Sequence, residues 1–305
     1  MKSPLRFSVS RLVGTVSSAA VALVLAFVAT PSSAQKVFES PEAAMKAFGD
    51  AIATNNDAAL QTILGAEQRK LIPPVETDIR LRFLAAWARS HKIKPIDGTH
   101  AEIEVGNDGW TLPLPLTKSA KGWQFDTSAG VEEMRARRVG RNELAVIQTM
   151  LAIYDAQHEY AQKVHDGSGV LAYASKLSSS PGKQDGLYWP TKAGEEPSPL
   201  GPAFVTAAGA RMASSEGYFG YQYKLLTAQG ANAPGGAYNY VVKGKLFGGF
   251  AVIAWPVRYQ DTGVKSFMVS HDGQVYESDL GPNSAAKAAA IKSFDPGQGW
   301  SKVSP

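Results

Sequence analysis

Residues 142–164 read NELAVIQTMLAIYDAQHEYAQKV, from Asn142 to Val164. Leu144, Ile147, Leu151 and Tyr154 recur at steps of three and four, the spacing of one face of an α-helix. Val146, Met150 and Ile153 widen that stripe. Asn142 is placed to cap the helix, with Glu143 against its positive end. Gly140 separates it from the charged run Glu132–Arg138, and His165-Asp166-Gly167-Ser168-Gly169 is a stop signal. A helix this long with so wide an apolar stripe needs a flat partner. The chain after it offers strands.

Before this helix, Ser40-Pro41-Glu42 opens a first helix in which Ala44, Phe48 and Ile52 face inward. Asn56 caps a second helix, with Leu60, Ile63 and Leu64 inside and Gly65 at its end. A third, near Asp78–His91, carries Ile79, Phe83 and Trp87. The period then changes to two: Ala101, Ile103 and Val105 alternate with Glu102 and Glu104, and Asn107-Asp108-Gly109 is a hairpin turn. Trp110–Leu116 and Trp123–Asp126 continue the meander, with Pro113 and Pro115 marking an edge or a bulge.

After the long helix, a second short helix or a turn is expected at Leu171–Leu177. A loop-rich stretch, Ser178–Gly217, follows. Tyr221–Leu225 alternates, Phe250–Trp255 reads as a central strand, and Lys265–Val269 with Gln274–Glu277 forms a hairpin around His271-Asp272-Gly273. An alanine-rich helix, Ser284–Ser293, closes the chain.

The expected fold is α+β in two domains, 35–129 and 130–305. Helices followed by an antiparallel meander resemble the nuclear transport factor 2-like cone. The long helix with Gly217-Tyr218 and Thr262–Phe267 resembles the globular part of a pilin. It departs from pilins in having a whole domain before the helix and polar residues along it, which argues against fibre assembly through that helix.

Of 305 residues, 44% are hydrophobic and 19% charged, the composition of a folded protein. Residues 1–34 stand apart: Lys2, Arg6 and Arg11 precede the apolar run Leu12–Val28, and Ser32-Ser33-Ala34 is a small-x-small cleavage site. This is the pattern of a secretory signal peptide. Its three positive charges leave 28 basic against 27 acidic residues in the remainder. A near-neutral chain carries no general field for nucleic acid, and no membrane span is expected after cleavage. With no cysteine, disulfides, thiolate metal sites and cysteine nucleophiles are excluded.

The candidate sites are few. Asp155, His158 and Glu159 at i, i+3 and i+4 could hold a metal, with His165 two turns on; a solvated helix face is the commoner use of this pattern. Tyr188, Trp189, Tyr218 and Tyr221 are candidates for stacking on sugar rings or gripping a peptide, Tyr188 and Trp189 because they sit in a loop. His271-Asp272 is a turn before it is a catalytic dyad, and Ser178–Ser180 and Ser214-Ser215 have no base beside them. No catalytic residue is assigned and no cofactor is expected.

Trp110–Leu116 (WTLPLPL), Arg138–Leu144 (RVGRNEL), Asp185–Pro190, Ser198–Pro202 and Gly248–Pro256 together resemble the bacterial domain of unknown function 2950 family. The resemblance implies an exported bacterial protein and brings no catalytic residues. The reading is therefore a periplasmic or secreted binding or assembly module whose partner is another envelope protein or a polysaccharide. A hydrolase acting on envelope polymers and a pilus-associated subunit are the alternatives. Export predicts that the mature chain begins at Gln35, which N-terminal sequencing of the secreted protein checks; a chain still starting at Met1 overturns it.

Overall fold

The computed structural model describes residues 35–65, 68–72, 77–192, 194–201 and 216–303. The expected signal peptide, Ser214-Ser215, Pro202 and most of the second half of the 178–217 stretch lie outside the described residues. The described part is mixed helix and antiparallel sheet, as expected for an α+β chain.

Helices α1 (Pro41–Ala53), α2 (Asp57–Leu64), α3 (Gln68–Leu71) and α4 (Thr77–Arg89) come first. Ser40 caps α1 by accepting from the Ala43 N–H at 3.1 Å, and Asn56 caps α2 by accepting from Ala59 at 2.9 Å. The helices cover a four-stranded antiparallel sheet in the order β1 (His91–Pro95), β2 (His100–Val105), β3 (Leu116–Ser119), β4 (Gly122–Phe125). Strand β1 falls where the sequence reads as the end of a helix and a linker. Trp110–Leu116 is mostly not a strand: it touches β2 through the single bridge Glu104–Thr111 before Pro113 and Pro115, which have no N–H to give. Phe48, Ile103, Leu114, Leu116 and Phe125 fill the core beneath.

Helix α5 runs from Thr127 to Tyr160, through Gly140 without a break. Its cap is Asp126, which accepts from Ala129 at 2.9 Å, so Asn142 is not an N-cap. Asn142 and Glu143 lie mid-helix and hold a loop instead. Asn142 donates to the Thr262 carbonyl at 2.9 Å, and one Glu143 carboxylate oxygen accepts from the Val264 and Lys265 N–H groups at 2.8 and 2.9 Å. Arg135 donates to the Gln260 carbonyl, and Arg138 pairs with Asp261. Gly263 belongs in this loop because a Cβ there would stand 1.9 Å from the Tyr221 hydroxyl. The buried stripe of α5 is Val146, Met150 and Ile153, each fully buried, while Leu144 is 68% exposed. Of the expected stripe, Ile147 and Leu151 pack partly buried against the same core and Leu144 alone faces solvent, because the face is fixed by the sheet.

The later strands are β5 (Lys176–Ser178), β6 (Gly186–Tyr188), β7 (Tyr221–Leu226), β8 (Ala228–Gln229), β9 (Tyr238–Asn239), β10 (Val241–Val242), β11 (Lys245–Leu246), β12 (Ala251–Pro256), β13 (Ser266–Ser270), β14 (Val275–Ser278) and β15 (Ser301–Lys302). Five form one antiparallel sheet in the order β15-β14-β13-β12-β7. Val252 and Ala254 of β12 face α5 together with Phe267 and Val269. Ala251 and Ile253 face the other way, onto Met268, Tyr276, Phe294 and Ala288 of α6 (Ser284–Ala290). Both faces are covered, which is why β12 reads as an unbroken apolar run. The Lys224 amine secures α6 by donating to the carbonyls of Ala288, Ala289 and Ile291 at 3.2, 2.7 and 2.6 Å, a cation at a negative helix end. Leu171–Leu177 is not a helix: it is extended, and ends in β5. Among the described residues, no helix is long and apolar enough to cross a membrane.

Three substitutions on α5 separate its buried, exposed and loop-holding positions. Met150→Ala should cost about 2–5 kcal/mol by opening a cavity, whereas Leu144→Ala should stay within about 0.5 kcal/mol. Glu143→Ala should cost about 2 kcal/mol by leaving two loop N–H groups without an acceptor. Chemical denaturation of the three variants checks this ranking; equal losses at 144 and 150 would contradict it.

Candidate functional site

The C-terminal end of α5 forms one wall of a cleft of about 920 Å³. Gln157, fully buried, positions the opposite wall: its Oε1 accepts from the Ala174 N–H at 2.8 Å and its Nε2 donates to the Ala174 carbonyl at 3.1 Å. A hydrophobic side chain there would leave both backbone groups unpaired. Gly186 allows β5 and β6 to meet, since a Cβ would lie 2.6 Å from the backbone of Ser178 and Ser179.

Aromatic rings form the cleft's spine. His165 stacks on Tyr160 with centroids 3.9 Å apart and planes 18° apart, and Trp189 tilts against His165 at 5.4 Å. His165 Nε2 lies 3.0 Å from the Tyr160 carbonyl; a carbonyl only accepts, so this nitrogen carries the proton. Tyr160 donates its hydroxyl to the Gln184 carbonyl at 2.6 Å, and burial pushes its pKa up to about 12, helped by Asp166 and Asp185. A second hollow, of about 590 Å³, adjoins the first and shares Tyr160, Lys163, His165, Gln184, Trp189 and Glu195 with it. Together these adjoining hollows form the trough.

Charged groups on the rim are held in place. Asp185 accepts from the Lys176 amine at 2.7 Å, the Ser180 N–H at 2.7 Å and the Ser180 hydroxyl at 3.0 Å. The Lys176 bond, more than any other contact, lowers its pKa to about 2. The Lys245 amine, 2.6 Å from Asp166, together with Ser168, holds the Asp166 carboxyl well below the usual range. Lys163 pairs with Glu196, lowering that carboxyl too. These carboxylates are ionised at any physiological pH. In the structure they serve as hydrogen-bond acceptors for the neighbouring lysines and serines.

The sequence candidates are dispersed. Trp189 is 9% exposed, part of the core beside α5, with one edge toward the trough. Tyr188 packs half-buried against the same core. Tyr221 is fully buried, its hydroxyl donating to the Lys265 carbonyl at 2.9 Å, and Tyr218 packs half-buried beside Phe219. Asp155 and Glu159 are exposed, whereas His158 turns inward, its ring edge-on to Tyr173 and Phe250. Among the described residues no three or more His, Asp or Glu side chains are grouped to hold a metal. His271-Asp272-Gly273 is the β13–β14 turn, with Gly273 at φ 77° and its N–H on the Ser270 carbonyl. His271 meets the Tyr238 hydroxyl at 3.2 Å, and its ring nitrogen stands 3.9 Å from Asp272, too far for a hydrogen bond.

Sequence reasoning did not single out Tyr160, Gln184, Asp166 or Lys245 as site residues. No spacing announces them: Lys245 and Asp166 are 79 positions apart. The one available signal is the conjunction of Tyr160 with His165 just past a helix end.

The fold defines an α+β protein with an aromatic-floored, charge-rimmed trough at one helix end. A family model described as "Protein of unknown function (DUF2950)" matches residues 35–303, and the chain belongs to that family. No curated protein and no solved structure matches it.

The rim bonds carry a pH signature. Asp185 has a depressed folded pKa, so its stabilising contribution is present above the ordinary carboxylate range and is lost as pH falls through about 2. Wild type should melt above Asp185→Asn at pH 6, and the gap should close between pH ~4 and pH ~2. A gap that stays constant over that range would refute the assignment.

Proposed function

We propose that this is an exported envelope protein that binds, without transforming, a segment of envelope polysaccharide or of another envelope protein in the α5 trough. The observation that carries the reading is the trough itself: two adjoining hollows that share the Tyr160–His165–Trp189 spine, rimmed by paired charges. The His165 ring and the edges of Tyr160 and Trp189 give rigid contact area at low entropy cost, and fixed acceptors and ammonium groups orient a polar chain. Carboxylates clamped by lysines suit recognition better than proton transfer, which needs a pKa near the working pH.

Two further points support the wider picture. The family match begins at residue 35, directly after the expected cleavage position. The 38–125 residues and the 146–303 residues gather in separate hydrophobic clusters, which favours a small cone-like domain followed by a pilin-like one.

The test is retention of the purified chain on cell-wall polysaccharide and on immobilised envelope extract. His165→Ala, which removes the most accessible ring of the spine, and Lys183→Glu, which reverses a charge lining the cleft, should each reduce retention by about tenfold, roughly 1.4 kcal/mol. Wild type that retains nothing, or variants that retain as much, would defeat the proposal.

A further inference from the structure

We infer that the cavity among the N-terminal helices is a second site, for a small amphiphilic monocarboxylate: an apolar body ending in a single acid group. None of its lining residues belongs to the trough, so it does not depend on the function proposed above.

Helix α4 prompts the inference. It carries Ile79, Leu81, Phe83, Leu84 and Trp87, yet none of its residues is fully buried. Phe83 and Trp87 reach Phe48 of α1, with ring centroids 6.5 and 6.2 Å away. Ile79, one turn earlier, is 46% exposed. Between α4, α1 and α2 lies a hollow of about 450 Å³, walled by Phe48, Ile52, Leu60, Ile72, Phe83 and Leu112. It falls within the range of small-molecule sites.

Its rim supplies the polar end. Arg69 is occupied by Asp57 at 2.7 Å. Arg80 also lines the hollow, is half-buried, and makes no ion pair or hydrogen bond among the described residues. A guanidinium offers a planar fork that a carboxylate meets with two parallel hydrogen bonds. A neutral hydrophobe would fill the walls and leave Arg80 without an anion. A doubly charged head would meet Asp57 on the same rim. One carboxylate on an apolar body satisfies both constraints and completes the burial of α4.

The experiment titrates the full chain with laurate, 4-phenylbutyrate and dodecanol, read by displacement of a fluorescent fatty acid. At least one acid should bind saturably, and which one distinguishes an acyl chain from an aromatic acid. Dodecanol should bind at least about tenfold more weakly than that acid. Arg80→Gln should bring the acid down to the level of the alcohol, and Arg80→Lys should restore part of the difference. Ile79→Trp, at the open mouth, should block acid and alcohol together. Both positions are at least partly exposed, and circular dichroism confirms that each variant is folded. The inference is overturned if neither acid saturates, if acid and alcohol bind alike, or if folded Arg80→Gln and Ile79→Trp bind as wild type does. Polymer retention through the trough would be untouched by any of these outcomes.

Discussion

The structure depends on burial of the α5 stripe, Val146, Met150 and Ile153, against the β12 and β13 side chains Val252, Ala254, Phe267 and Val269. Each such side chain is worth about 1.5–3 kcal/mol when taken out of water. Because the contact is apolar, it sets position only loosely along the helix. Direction and register come from polar clamps at the two ends: Glu143 and Asn142 on the loop around Thr262, and Gln157 on Ala174. A carboxylate that accepts two backbone N–H groups has a narrow range of workable geometries. The helix cannot slide or roll without breaking it.

The trough follows from this placement. Tyr160 ends α5, and its hydroxyl fixes the backbone at Gln184, from which the chain enters β6 and Trp189. His165 folds back over Tyr160 just beyond the helix. The first half of the long 178–217 stretch is therefore not a free binding loop. Leu187, Trp189 and Leu200 belong to the core, and the ligand-facing surface is what remains at their edges.

The N-terminal helices are built differently. Their sheet side is close-packed around Phe48, Leu114, Leu116 and Phe125, while α4 stands partly away from it. One chain thus contains both a site shaped by locked charges and a hollow shaped by apolar walls. The first is lined by paired charges and ring edges, and the second by apolar side chains with Arg80 on its rim.

Local signals in the sequence determined the caps at Ser40, Asn56 and Gly65, the Asn107-Asp108-Gly109 turn, the central strand at Phe250–Trp255 and the existence of a long helix. These are properties of a few neighbouring residues, and they survive any tertiary context. Tertiary structure alone decided where α5 begins, which residues of its wide apolar stripe it buries, and that Leu171–Leu177 is extended rather than a helix or turn. Leu144 and Met150 are equally apolar as letters; only the position of the sheet exposes one and hides the other. The same holds for the trough, whose groups come from Tyr160, Asp185 and Lys245, three places that share no spacing and meet only once the sheet has closed.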